Sequence, residues 1–135
     1  MPPIKILISV LDDDSIVLDF IKNIFSDEYA YDIRTYHSPE PFLSDFSKDV
    51  DLVITDIRVA RYNAIEAIKT FVSVNPGCYI VAMSAYFDKE ILMKLIECRV
   101  DAVVEKTHNI EWLKELRAKV DALKPKLLDK AKFKQ

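Results

Sequence analysis

Four apolar runs of strand length in this chain each stop at a polar or charged side chain. Val10-Leu11 stops at Asp12-Asp13-Asp14, Val53-Ile54 at Thr55-Asp56, Val81-Ala82-Met83 at Ser84, and Ala102-Val103-Val104 at Glu105-Lys106. A strand buried on both faces is apolar throughout, and helices must then cover both faces of its sheet. Between the runs, apolar residues recur at helical spacing, as in Val17, Leu18, Ile21, Ile24 and Phe25. Strand and helix in alternation imply βαβ units and a parallel sheet. All strands of such a sheet end on one edge, where open α/β sheets place their sites. Carboxylates, a hydroxyl and an ammonium then share one crevice, the outline of a phosphoryl-transfer site.

Along the chain this pattern repeats five times, giving an α/β class, (βα)5, doubly wound five-stranded parallel sheet. Strands are predicted over residues 4–11, 31–36, 51–55, 79–83 and 100–104. Asp14 or Ser15 can cap the first helix, and Pro39 to Phe46 forms a short second one. Ile65, Ile68 and Val72 mark the third helix, and Asn75-Pro76-Gly77 breaks the chain before the fourth strand. Asp88 can cap the fourth helix, with Ile91, Leu92, Leu95 and Ile96 on one face, and the fifth helix runs from Asn109 to Leu123. Trp112, Leu113 and Leu116 read as core, His37 and His108 as surface residues, and Cys78 and Cys98 as packing residues. The domain is therefore expected over residues 1–123. From Lys124 the pattern changes: Pro125 is expected to interrupt the helix, and five lysines face the single acid Asp129. Residues 124–135 read as a solvated basic tail or as the start of a linker.

The bulk numbers exclude several classes. A chain of 135 residues is one domain. Gly77 is its only glycine, so neither a P-loop nor a G-x-G-x-x-G turn is present. The net charge of −3 speaks against direct nucleic-acid binding. No apolar stretch reaches the ~18 residues of a membrane span. Little room for a signal peptide precedes the first strand, and two unpatterned cysteines suit a reducing compartment, so a cytoplasmic location is expected.

Asp12, Asp13 and Asp56 at strand ends repel one another unless a cation sits among them, and hard oxygen ligands suit Mg²⁺. A carboxylate can itself attack phosphorus and form an aspartyl phosphate. Ser84 can donate a hydrogen bond to a phosphoryl oxygen, and Lys106 can pair with its charge. Plainer readings exist for each. Asp12 to Asp14 could cap a helix, Asp56 could be a turn residue, Ser84 could bond locally, and Lys106 could be a solvated loop lysine.

With these residues in order, the sequence resembles the receiver domain of bacterial two-component response regulators, over about residues 4 to 123. Lys5-Ile6-Leu7 with Val10-Leu11-Asp12-Asp13-Asp14 resembles the first strand and acidic pair, although with more residues between them than is usual. Asp51-Leu52-Val53-Ile54-Thr55-Asp56 resembles the acceptor strand, Met83-Ser84-Ala85 the hydroxyl position, and Glu105-Lys106 the lysine. The resemblance implies a flavodoxin-like sheet in order 2-1-3-4-5. It implies that Asp56 accepts a phosphoryl group from a phosphohistidine on a histidine kinase or histidine phosphotransfer protein. Asp13 would ligate Mg²⁺ directly, Asp12 through water, and Arg58 through its backbone carbonyl, while Ser84 and Lys106 read the phosphate. It further implies a downstream protein or a homodimer on the face of the fourth helix, fifth strand and fifth helix, where Lys89, Lys94, Arg99, Lys114 and Arg117 add basic character. Such a domain is a signalling switch with at most self-catalysed chemistry.

The departures are specific. Val59-Ala60-Arg61-Tyr62-Asn63-Ala64 replaces the usual Met-Pro-Gly stretch after the acceptor, which puts the loop's conformation in question. Thr107 stands where proline usually follows the lysine, so Lys106 could be aimed differently, and Val103 stands where an aromatic switch residue is typical. Arg58 and Tyr86 lie two residues beyond Asp56 and Ser84, where they could shield an acyl phosphate from water. These departures keep open a degenerate receiver acting as a phosphorylation-independent interaction module. A haloacid-dehalogenase-like phosphatase using Asp12-x-Asp14 is the rival of another class, but its downstream acidic pair is missing.

Overall fold

A computed structural model describes residues 3–134. Ten elements alternate along it: β1 (Ile6–Leu11), α1 (Ser15–Ile24), β2 (Tyr31–Tyr36), α2 (Pro39–Asp45), β3 (Leu52–Asp56), α3 (Ala64–Val74), β4 (Tyr79–Ser84), α4 (Lys89–Glu97), β5 (Ala102–Glu105) and α5 (Glu111–Lys132). The strands form one parallel sheet in the order β2-β1-β3-β4-β5, as expected. β1, β3, β4 and β5 each start or stop one or two residues from the expected bounds.

The central strands β1, β3 and β4 are buried on both faces because each alternates between two cores, while the edge strands β2 and β5 are partly exposed. Ile6, Ile8, Val10, Leu52, Ile54, Val81, Met83 and Val104 point to the side of α1 and α5, where Leu18, Ile21, Trp112, Leu113 and Leu116 meet them. Leu11, Val53, Ile80 and Ala82 point to the other side, against Phe42, Ala67, Ile68, Phe71 and Leu95, with Val103 packed alongside. Local chemistry starts the helices: Asp14, Asn63 and Asp88 accept backbone N–H groups of the first turns of α1, α3 and α4. Asp14 therefore does serve as a cap. His37 and His108 are exposed, Cys78 is buried and Cys98 half-buried.

One sequence expectation is overturned. α5 does not stop near Leu123 but passes through Pro125 to Lys132, so no structural break falls at residue 123 or 124. A proline inside a helix costs roughly 3 kcal/mol through its lost N–H and its ring. Tertiary contacts offset this: Leu127 and Ala131 are buried in the α1–α5 core. Asp51, fully buried at the entrance to β3, accepts the Leu7 N–H at 2.8 Å. Two ammonium groups reach it, Lys130 Nζ at 3.3 Å and Lys134 Nζ at 2.6 Å. Lys130's stem passes over Gly77, where a Cβ would lie 3.1 Å from its Cε. Residues 124–134, within the stretch expected to be a solvated tail or the start of a linker, therefore continue α5 and clasp the amino edge of the sheet; Gln135 lies outside the described residues.

Candidate functional site

The registers of the parallel sheet gather the site. Leu11 lies beside Thr55, Asp56 beside Met83, and Ser84 beside Glu105. Asp12, Asp56, Ser84 and Lys106 thereby meet at the carboxyl edge. Asp12 and Ser84 have no solvent exposure and Asp56 has little, whereas Asp13 is exposed at the mouth.

Lys106 Nζ bridges two of the acids, 2.5 Å from Asp12 Oδ2 and 2.6 Å from Asp56 Oδ2. With Thr107 following it and no cis peptide bond among the described residues, the lysine still reaches both carboxylates. Burial pushes the Asp12 carboxyl above its ordinary range, and the hydrogen bond from Lys106 only partly opposes that. Burial pulls the Lys106 ammonium down, but the hydrogen bonds to Asp12 and Asp56 outweigh it and the net direction is up. The charged form of the lysine is thus held by the pair of acids.

One carboxylate oxygen from each of Asp12, Asp13 and Asp56 lies within 4.8 Å of the other two. An all-oxygen set of two buried acids and one at the solvent mouth fits a hard divalent cation that keeps several waters. Asp14 N–H donates to Asp12 Oδ1 at 2.9 Å, which fixes that carboxylate's plane.

Arg58 does more than border the site. Its backbone N–H donates to Asp56 Oδ1 at 2.7 Å. Its Nε donates to Ser84 Oγ and to the Tyr86 carbonyl, each at 3.1 Å. The guanidinium also lies 5.7 Å from the centre of the Tyr86 ring. The Arg58 side chain and the Tyr86 backbone thus surround the Ser84 hydroxyl with hydrogen bonds.

Sequence reading missed Tyr62. Its hydroxyl lies 3.0 Å from Thr55 Oγ1, which donates to the Asp56 carbonyl at 2.9 Å. With that proton committed, the Tyr62 O–H is the donor to Thr55, and burial raises its pKa to about 12. Tyr62 also packs edge-on against Phe42, 6.3 Å between ring centres. Its neighbours explain how the altered loop holds its shape: Arg61 adopts φ 59°, Val59 is buried, and Asn63 caps α3. An aromatic residue inside an otherwise polar and small loop was the available signal.

The expected basic face is less basic than its sequence suggests. Lys94 pairs with Glu90 and Lys114 with Glu111. Arg117 turns toward α1, where it meets Asp27 and Asp121 at 2.9 and 2.8 Å and the Ile24 carbonyl.

Against known proteins, residues 8–118 match the response regulator receiver domain, and the chain belongs to that family. A cyclic di-GMP phosphodiesterase of Thermotoga maritima is 30% identical over 70 residues, covering 52% of this chain and 19% of that protein. The chain thus spans about a fifth of the length of that curated relative. The response regulator DrrB of Thermotoga maritima, an OmpR/PhoB homologue, superposes with a TM-score of 0.76 at 23% identity, over 88% of this chain and 52% of that one. A CheY-like receiver domain protein of Methanospirillum hungatei gives 0.77 at 22% identity, over 95% and 98%. These two likenesses show the fold. Family membership sets aside the phosphatase reading of Asp12-x-Asp14. No helix among the described residues is long and apolar enough to cross a membrane.

Proposed function

We propose that this chain is a phosphoacceptor switch of a phosphorelay, with Asp56 as the acceptor. The observation that carries the reading is the Lys106 ammonium held between Asp12 and Asp56, in a crevice where Asp13 supplies a third carboxylate. In the reaction, a carboxylate oxygen of Asp56 attacks phosphorus and an O–P bond forms. The N–P bond of a phosphohistidine breaks, and its electron pair returns to the imidazole of the donor. Lys106 then faces the phosphoryl oxygens, and Ser84 supplies one O–H donor. Asp12, Asp13 and Asp56, with the Arg58 carbonyl, would hold Mg²⁺. When bound, that ion supplies the charge that lets an anionic phosphoryl group approach three carboxylates.

The donor is a histidine kinase or a histidine phosphotransfer protein. Exposed Ile16 and Phe20 on α1 and Ile110 before α5 lie on elements that begin at the carboxyl edge, where such a partner has to approach. The α4–β5–α5 face, with Met93 and Ile96 exposed on α4, is the surface proposed for a downstream protein or a second copy. Self-catalysed phosphorylation from small donors and self-catalysed hydrolysis complete the chemistry.

Intact mass after incubation with acetyl phosphate tests the proposal. A single phosphoryl adduct is expected that requires Mg²⁺ and is lost in Asp56→Asn. Absence of an adduct, together with no thermal stabilisation by Mg²⁺, would replace it with a phosphorylation-independent interaction module.

A further inference from the structure

Ser84 has one hydroxyl proton, and it is committed. Its Oγ donates to the Tyr86 carbonyl at 2.8 Å while accepting from Arg58 Nε at 3.1 Å and from the Tyr86 N–H at 3.3 Å. The Tyr86 carbonyl accepts a second bond from Arg58 Nε at 3.1 Å. Arg58 in turn is tied to the acceptor, because its backbone N–H holds Asp56 Oδ1. Asp56, Arg58, Ser84 and both backbone groups of Tyr86 therefore form one hydrogen-bonded circuit. Tyr86 sits in the loop between β4 and α4, with its side chain exposed and its ring beside the guanidinium.

β5 offers no comparable element. Val103 is half-buried against the α3–α4 core and carries neither a polar atom nor a ring that could rotate into vacated space. The route from the site to the surface thus runs through residues of the β3–α3 and β4–α4 loops.

We propose that the Arg58–Tyr86 pair carries the phosphorylation state of Asp56 to the surface at the start of α4. This rests on Asp56 being the acceptor. A phosphoryl group on Asp56 brings anionic oxygens to the donors that now serve the Tyr86 carbonyl. One proton cannot serve two acceptors, so Ser84 has to leave that carbonyl to bind a phosphoryl oxygen. The guanidinium, a stronger partner for a phosphoryl oxygen than for a neutral carbonyl, follows the charge. Tyr86 then loses both donors to its carbonyl and the cation beside its ring. Its ring is released at the amino end of the helix that bears exposed Met93 and Ile96. Arg58 acts here as a positioning residue, converting charge at Asp56 into a change of Tyr86 environment.

The test is ¹⁹F NMR of the full chain labelled with 3-fluorotyrosine, the Tyr86 resonance being identified by its loss in Tyr86→Phe. Samples are treated with acetyl phosphate and Mg²⁺ or with beryllofluoride and Mg²⁺, and adduct fraction in the former is read by intact mass. A second, shifted Tyr86 resonance is expected whose area follows occupancy, while those of Tyr29 and Tyr31, at the amino edge of the sheet, stay in place. In Arg58→Ala, compared at matched occupancy, most of that shift is expected to be lost, whereas Val103→Ala retains it. A full adduct with an unmoved Tyr86 resonance, or an equal shift in Arg58→Ala, overturns the pair's role and leaves the acceptor reading standing. No adduct and no response to beryllofluoride overturns both.

Discussion

Replacing Lys106 by methionine keeps most of the apolar stem and removes the charge between two acids. Asp12 is fully buried and Asp56 nearly so, and each has a carboxylate oxygen within 2.6 Å of the ammonium. Removing one partner of a buried ion pair typically costs about 3–5 kcal/mol. The lysine side chain keeps 16% exposure and the crevice opens at Asp13, so the lower end applies, about 3 kcal/mol. For a domain of this size that is a fall of roughly 10 °C in Tm. The sign of the pH dependence follows from Asp12. Burial already raises its pKa above the ordinary value in the folded state, and losing Lys106 raises it further. The folded variant then binds a proton more tightly than the unfolded chain, so it gains stability as pH falls through the raised pKa toward 3.8. The wild-type lysine, whose pKa is raised, contributes stability that is fully present below 10.5 and lost as pH rises through the folded value. The deficit of Lys106→Met should therefore be largest near neutrality and shrink on acidification. Thermal melts followed by circular dichroism without Mg²⁺, from pH 8 down to pH 4, read this directly. A variant as stable as wild type at pH 7.5, or a deficit that does not change with pH, would refute the reasoning.

Further outcomes follow from the same geometry. Millimolar Mg²⁺ should raise Tm by neutralising the three carboxylates, and Asp13→Asn should weaken that shift; scanning calorimetry with Mg²⁺ against Ca²⁺ and buffer measures it. Leu127→Ala should cost about 2–4 kcal/mol in urea unfolding because Leu127 is fully buried beyond Pro125, and a loss under ~1 kcal/mol would mean that the end of α5 is not core. Asp51→Ala should approach the cost of a broken buried ion pair, about 3 kcal/mol, since it leaves the Leu7 N–H without its carboxylate and Lys130 and Lys134 with only the Val50 and Asp49 carbonyls; urea unfolding measures it, and a loss under ~1 kcal/mol would count against the clasp. Arg58→Ala and Tyr86→Ala should each shorten the lifetime of the Asp56 adduct by admitting water; decay of adduct mass after removal of acetyl phosphate shows this, and unchanged lifetimes would count against a shielding role.

What could be read in the sequence was local. Apolar runs ending in Asp12, Asp56, Ser84 and Lys106 carry their meaning in a few adjacent residues, and a parallel sheet then has only one edge on which to gather them. The caps at Asp14 and Asp88 were legible for the same reason. What escaped depended on partners far along the chain. Lysines 130 and 134 read as solvated because the acid that holds them, Asp51, lies 79 and 83 residues earlier. Pro125 read as a stop because helix propensity is visible locally, while the burial of Leu127 and Ala131 against β-strands is not. Arg117 read as part of a basic face because its acid Asp27 lies 90 residues away. Arg58 could be suspected of covering the site, but its bonds to Ser84 and Tyr86 span two loops that only the fold brings together.

The central claim is that Asp56, and no other acid of the cluster, receives the phosphoryl group. Reductive trapping tests it most directly: borohydride converts an acyl phosphate side chain to the alcohol, so the phosphorylated aspartate becomes homoserine and is located by peptide mass. After incubation with acetyl phosphate and Mg²⁺, homoserine is expected at position 56 alone, with Asp12 and Asp13 unchanged. Homoserine at Asp12 or Asp13 with Asp56 intact, or a stable phosphoryl adduct that leaves no homoserine anywhere, would contradict the account.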